Sequence, residues 1–334
     1  METRKIYMTG GATYVVSLPK RWVESSGLKQ GDSVVVTREE GAIIIEPGII
    51  EKTGAEVEIK VSEVPSGESL ERLIISYYLV GYDTIKIHID RKDHLDYKDS
   101  IRKALNLLIG VELVEDIGNR VTMEILLDHQ RMPTTKVLRK IHLINKSMLG
   151  DLITAFKSKD TNLVRDVMQR EKEVDRLYFL VVRQLKSAVR YHQVAEKLGI
   201  TYQRDSLGYR IVVKSLERIA DHLENISQSY LKLADIEENP EMGDILKLAT
   251  QTLSLYERAT TAIFKHDPTK VEEVFTGLKK IERVYSKASN KLFSEKINVH
   301  SSLLRKTIID SFRRIAGYST DIAEIAINMS VKVP

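Results

Sequence analysis

The sequence predicts a multidomain chain in three parts: a β-rich N-terminal unit, a small α/β domain and a C-terminal all-α bundle. Three observations carry this. Apolar residues alternate with a period of two in much of residues 1–48, strand-like and helix-like stretches alternate through residues 49–130, and from Pro133 onward almost everything has helical period. With 334 residues, 43% hydrophobic and 29% charged, the chain has the composition of globular domains with cores of their own. It has no cysteine, which excludes disulfides, thiolate zinc sites and cysteine nucleophiles together, so a metal site has to come from Asp, Glu or His. No apolar run approaches 18 residues and Met1 to Gly11 lacks the pattern of a signal peptide, so a cytoplasmic protein is expected. A net charge of +4 implies a nucleic-acid partner only if it is concentrated somewhere.

Residues 1–48 read as short strands around one short helix: "KIYM", a Gly10-Gly11 turn, "TYVVSL", the helix "PKRWVESSG", then "SVVVTR" and "AIIIE" across Gly41. Pro19 suits the first helical turn, where a missing N–H costs nothing, and Gly27 suits the position after a helix end. Val34, Val36, Ile43 and Ile45 follow strand period. So short a unit buries little surface alone, and dimerisation is expected. Residues 49–130 alternate "EVEIKV", "SLERLIISYYLV", "TIKIHI", "DSIRKALNLLIG", "VELVED" and "RVTMEILL", with Ile85, Ile87 and Ile89 at strand period and Leu73, Tyr77 and Val80 at helix period. Asp90, Asp93, His94 and Asp96 share one polar loop without metal-ligand spacing, so a linker or a sensing role is expected there.

The bundle, about six helices over residues 134–334, contains an internal duplication. Residues 155–178 align without a gap on 262–285 at an offset of 107, and "SLERIADHLENI" from Ser215 matches "SFRRIAGYSTDI" from Ser311 at an offset of 96. Two copies of a three-helix unit, about 134–235 and 240–330, therefore account for it, and the second copy has a connection 11 residues shorter. Pro240 and Pro268 are placed to begin helices.

The duplication allows a position to be compared with its twin. Glu171 falls beside the apolar stripe Val167, Val174, Tyr178, Val181 and Leu185, where the second copy has Leu278, so the carboxylate needs a partner, a proton or a cation. Asp175 lies one turn on. Glu217 and Asp221 lie roughly opposite the stripe Leu216, Ile219, Leu223, Ile226 and Tyr230, and are expected to be solvated. "EKEVD" at 171–175 and "ERIAD" at 217–221 each stack two carboxylates on one helix face, and side by side they could offer four to a hard cation. Acidic pairs of this spacing are also common on solvated helices.

Two resemblances sharpen these readings. "TGGATYVVSLPKRWVESSGLKQGDSVVV" resembles the AbrB/SpoVT family of swapped-hairpin DNA-binding domains. The resemblance implies a homodimer with a barrel-like body of interlaced hairpins, in which Arg4, Lys5, Lys20 and Arg21 grip phosphates. Residues 1–29 carry Arg4, Lys5, Lys20, Arg21 and Lys29 against Glu2 and Glu24. The paired acidic motifs and "ERIADHLENI" resemble the PhoU family of phosphate-uptake regulators, six-helix bundles of two three-helix repeats, over about residues 134–330. That family binds iron or zinc through E(D)-x-x-x-D motifs, which carries over to Glu171, Asp175, Glu217 and Asp221. The second copy departs from it with Leu278, Glu282, Arg313 and Gly317, so one site is expected.

The combination resembles an archaeal regulator architecture. It implies a DNA-binding regulator of phosphate metabolism with iron, zinc or manganese as candidate metals, whose PhoU-like part works with a phosphate transporter or a kinase. An AbrB-type antitoxin with a toxin partner is the alternative. A ferritin-like di-metal enzyme would need Glu-x-x-His, and no His lies three after a Glu in residues 134–330, so no catalysis is expected.

Overall fold

The computed structural model describes residues 2–39, 41–48, 54–89, 94–128, 131–238, 240–265, 267–294 and 298–331. They fall into two compact units that divide between Thr53 and Gly54, a few residues after the expected boundary.

In the first unit, β1 (Ile6–Thr9) and β2 (Thr13–Val16) form one antiparallel hairpin, α1 (Lys20–Ser25) follows, and β3 (Val34–Glu39) and β4 (Ala42–Pro47) form a second hairpin. Pro19 occupies the N-cap of α1, and Gly27 past its end has φ +68°, the left-handed conformation that favours glycine. Within one chain these are two separate two-stranded sheets rather than a barrel. Every residue of β1 and β2 is exposed, and Ile6, Tyr7, Met8, Tyr14, Val36 and Ile43 each show more than half of their surface. Isolated hairpins are marginal in water, so this unit lacks the core that would hold it alone.

The second unit begins with a four-stranded sheet. β5 (Glu56–Lys60) leads through α2 (Gly67–Val80) to β6 (Thr84–His88), which lies parallel to it, as a strand–helix–strand crossover requires. After α3 (His94–Leu107), β7 (Val111–Ile117) and β8 (Arg120–Ile125) form a hairpin, giving the order β5-β6-β8-β7. Ser66 caps α2 by accepting from the Ser69 N–H, and Gly81 ends it in the left-handed region. The stripe of α2 that enters the core is Leu70, Ile74 and Tyr78, not Leu73, Tyr77 and Val80. Those three lie on the rim, and Val80 is 54% exposed. His94 and Asp96 stand at the start of α3 rather than in a loop, while Asp90 and Asp93 lie outside the described residues.

The bundle follows: α4 (Thr134–Ser158), α5 (Thr161–Arg190), the short α6 (His192–Lys197), α7 (Asp205–Ile236), α8 (Gly243–Lys265), α9 (Thr269–Ser294) and α10 (Val299–Ser330). Asp160 caps α5 by accepting the N–H groups of Asn162 and Leu163 at 2.9 and 3.2 Å. The difference in connection length between the copies is explained by α6, which sits between α5 and α7 and has no equivalent before α10 among the described residues. One core joins both copies, with Phe156 of the first touching Tyr230 at 4.7 Å and Phe312 of the second at 6.5 Å between ring centroids.

The sheet domain and the bundle keep distinct cores but share Leu79 and Leu127, which pack on both. Arg183 of α5 locks the joint. Its guanidinium is buried, donates to the carbonyls of Tyr78 at 2.6 Å and Tyr82 at 2.8 Å and to Asp83 Oδ1 at 3.0 Å, and lies over the Tyr78 ring. The boundary expected near residues 130–134 is therefore a joint inside one compact unit.

Candidate metal centre

The seam between α5 and α7 brings together three of the four carboxylates expected to bind metal. One oxygen each from Glu171, Asp175 and Asp221 lies within 4.8 Å of the others. Glu171 and Asp175 are half-buried because the stripe of α5 beside them, with Val167, Val174 and Val181, is fully buried. Asp221 reaches the same point from α7 and is exposed.

Such crowding disfavours the charged forms. Burial, then the charges of Asp175 and Glu224, push the Glu171 carboxyl up to about 8. Asp221, exposed as a residue but with its carboxyl partly covered at the seam, is pushed up to about 6, first by that partial burial and then by Glu217 and Asp175. Asp175 is raised by burial and by Glu217. The cluster thus holds protons that isolated carboxylates would release, and a hard divalent cation relieves the same repulsion with oxygen donors alone.

Glu217 departs from its expected place in two ways. It is buried rather than solvated, with 9% of its surface exposed, because α7 packs on α4, α5 and α10, so the side opposite its main apolar stripe is covered as well. It also stands outside the three-carboxylate cluster. Lys214, one turn earlier, donates to Glu217 Oε1 at 2.5 Å, while buried Oε2 has no hydrogen-bond partner among the described residues. That orphaned oxygen beside three carboxylates fits a cation as its missing partner.

Lys214 and Glu224 complete the electrostatics, and the sequence offered a clue only to the second. Glu224 lies one turn beyond Asp221, whereas Lys214 stands where the second copy has Asp310, a reversal of charge at twin positions. In the second copy, Glu282 receives hydrogen bonds from Arg313 Nε at 2.9 and 3.2 Å, and no metal-binding group forms there among the described residues.

In the first unit, all four basic candidates are exposed. Arg4 pairs with Glu2 at 2.5 Å and Lys20 with Glu24 at 3.7 Å, while Lys5 and Arg21 form no ion pair among the described residues. Ion pairs this exposed are worth little and are exchangeable for a phosphate.

Comparison with known proteins agrees with this division. Residues 138–229 and 245–326 each match the PhoU domain, and residues 7–53 match the antidote-toxin recognition MazE family of bacterial antitoxins. Over 166 residues the chain is 26% identical to a phosphate-specific transport system accessory protein PhoU homolog from Synechocystis, an alignment covering 47% of this chain and 70% of that protein. The solved PhoU of Pseudomonas aeruginosa superposes with a TM-score of 0.52 at 18% identity, covering 59% of this chain and 94% of that one. The phosphate transport system regulatory protein PhoU of Streptococcus pneumoniae gives 0.51 at 16%, covering 59% and 92%. At these identities the two structures speak for the fold.

Proposed function

Because the chain belongs to the PhoU domain family, we propose that it is a DNA-binding regulator of phosphate uptake, with a basic N-terminal head and a metal-binding helical bundle. The observation that carries this reading is the union in one chain of a bundle matching PhoU in both repeats and an antitoxin-like head with Arg4, Lys5, Lys20 and Arg21 exposed. The exposed apolar residues of β1 to β4 support a homodimer in which a second copy's hairpins complete a swapped barrel. Each dimer then presents the four basic residues twice.

In the bundle, Glu171, Asp175 and Asp221 would hold iron, zinc or manganese, with Glu217 beside them. A bound cation would neutralise the cluster and stiffen the seam between α5 and α7. Nothing in this arrangement calls for catalysis. The bundle's partner is a phosphate transporter or a signalling kinase, and the first of these is supported by the Synechocystis relative, a phosphate-specific transport system accessory protein.

Genome-wide DNA footprinting tests the reading. Protected sites beside phosphate-transport genes are expected, and a chain lacking residues 134–334 keeps occupancy but loses the transcript response to phosphate supply. A normal response without the bundle refutes its regulatory role. The match of residues 7–53 to MazE favours one second reading, an antitoxin that binds a toxin. A toxin co-purifying with the head, together with no footprint at phosphate genes, would decide for it.

A further inference from the structure

The carboxylate seam carries a cation of its own. Lys214, Glu217 and Asp221 are spaced three and four apart on one face of α7, and helical side chains lean toward the N-terminus, so Glu217 leans back onto Lys214. The Lys214 ammonium donates to Glu217 Oε1 at 2.5 Å. Its charge also acts on Asp175 and Asp221, against the repulsion of Glu217 and Glu224 on both. The neighbouring arginines are committed elsewhere: Arg170 to Asp151 and Asp166, Arg218 to the Tyr318 ring and Arg210 to the Tyr178 hydroxyl. Lys214 thus compensates the metal-free seam in the way a bound ion would, but with a single charge.

Two features make this contact exchangeable. The lysine satisfies only half of a buried carboxylate, since Glu217 Oε2 has no hydrogen-bond partner among the described residues. Lys214 also has an alternative place to rest. Its side chain is 35% exposed, and its ammonium already lies 5.0 Å from the centre of the Tyr178 ring, one turn beyond Asp175 on α5. Water and a cation–π contact can hold it once Glu217 is withdrawn. A positive charge so near the ligands also counts against a metal. It opposes a divalent ion twice as strongly as it opposes a proton at the same point, so its help in keeping Asp175 and Asp221 ionised does not offset its repulsion.

We propose that Lys214 is a tethered stand-in for the metal, a positioning residue that keeps Glu217 out of the ligand set until a divalent ion displaces it. Glu217 then joins Glu171, Asp175 and Asp221 as a fourth carboxylate, and Lys214 withdraws to Tyr178. The lysine sets the metal concentration at which the seam between α5 and α7 changes state. This proposal rests on the reading of that seam as a metal site.

Calorimetric titration of the full chain, stripped of metal by a chelating resin, with manganese(II) at one fixed pH tests it. Lys214→Met should tighten binding about tenfold, and so should Lys214→Gln, which can still donate to Glu217, whereas the charge-keeping Lys214→Arg should not. Glu217→Gln should weaken binding and, in the double variant, erase the gain of Lys214→Met, a non-additivity that a lysine acting only on the fold would not produce. Metal-free Lys214→Met should also melt below the wild type and recover the difference in saturating manganese(II), because Glu217 then regains a cationic partner. Wild-type binding with no tightening in Lys214→Met and Lys214→Gln, or a gain that survives in the Glu217→Gln background, overturns the proposal and leaves the metal site standing. No binding by the wild type or by any lysine variant overturns both.

Discussion

Raising the pH of the metal-free protein should destabilise it, and Glu171→Gln should remove most of that dependence. In the folded chain Glu171 sits at about 8 and Asp221 at about 6, above the 4.5 and 3.8 of free carboxyls. Between pH 5 and pH 8 the folded cluster therefore holds about one proton more than the unfolded chain. Stability linked to it is complete below the unfolded values and is lost as pH rises through the folded ones. One extra proton over three pH units sets a ceiling of about 4 kcal/mol. Because the cluster opens to water and Asp221 is exposed, screening reduces this to about 1–2 kcal/mol. Urea unfolding followed by circular dichroism at several pH values measures it. The wild type should lose about 1–2 kcal/mol between pH 5 and pH 8, Glu171→Gln less than half of that, and saturating divalent metal should reverse the trend. A metal-free wild type whose stability is flat or rising over this range would refute the crowding of these carboxylates.

Elemental analysis after reconstitution with iron, manganese or zinc should find metal lost in Glu171→Gln and Asp221→Asn but kept in Glu282→Gln, whose carboxylate belongs to Arg313. DNA affinity should fall with salt at a log–log slope near about −7 if a dimer neutralises about eight phosphates, and Arg21→Ala should reduce the slope by about two. Arg183→Met should cost about 3–5 kcal/mol and raise hydrogen exchange in α2 and β6, because it removes a buried charge that satisfies two carbonyls and Asp83.

Periodicity made the three-part order legible because each part repeats its own pattern often enough to be counted. The duplication went further: comparison with Leu278 pointed to Glu171 as a half-buried carboxylate. The same method failed at Glu217, because one apolar stripe defines one buried side and α7 packs on three helices. It chose the wrong stripe in α2 for a related reason, since Leu73 and Tyr77 are partly buried at the rim while Leu70, Ile74 and Tyr78 fill the core. Lys214 was invisible as a single lysine three before a glutamate. Only its contact with Glu217 gives it meaning. The joint at Arg183 was likewise unreadable, because its partners lie about 100 residues away in the chain.

Asp221 and His222 are neighbours in the chain, yet one faces the carboxylate seam and the other lines a cavity that the opposite copy forms with α7. A duplicated gene usually frees one product to drift while the other keeps the old task. Here the two products are fused and share a wall, so α7 is inherited by both. A substitution on α7 is read twice, and neither half could be cut away and kept as a working unit. The two copies differ in chemistry on α9 and α10, where Leu278, Arg313 and Gly317 stand at the positions that match Glu171, Glu217 and Asp221.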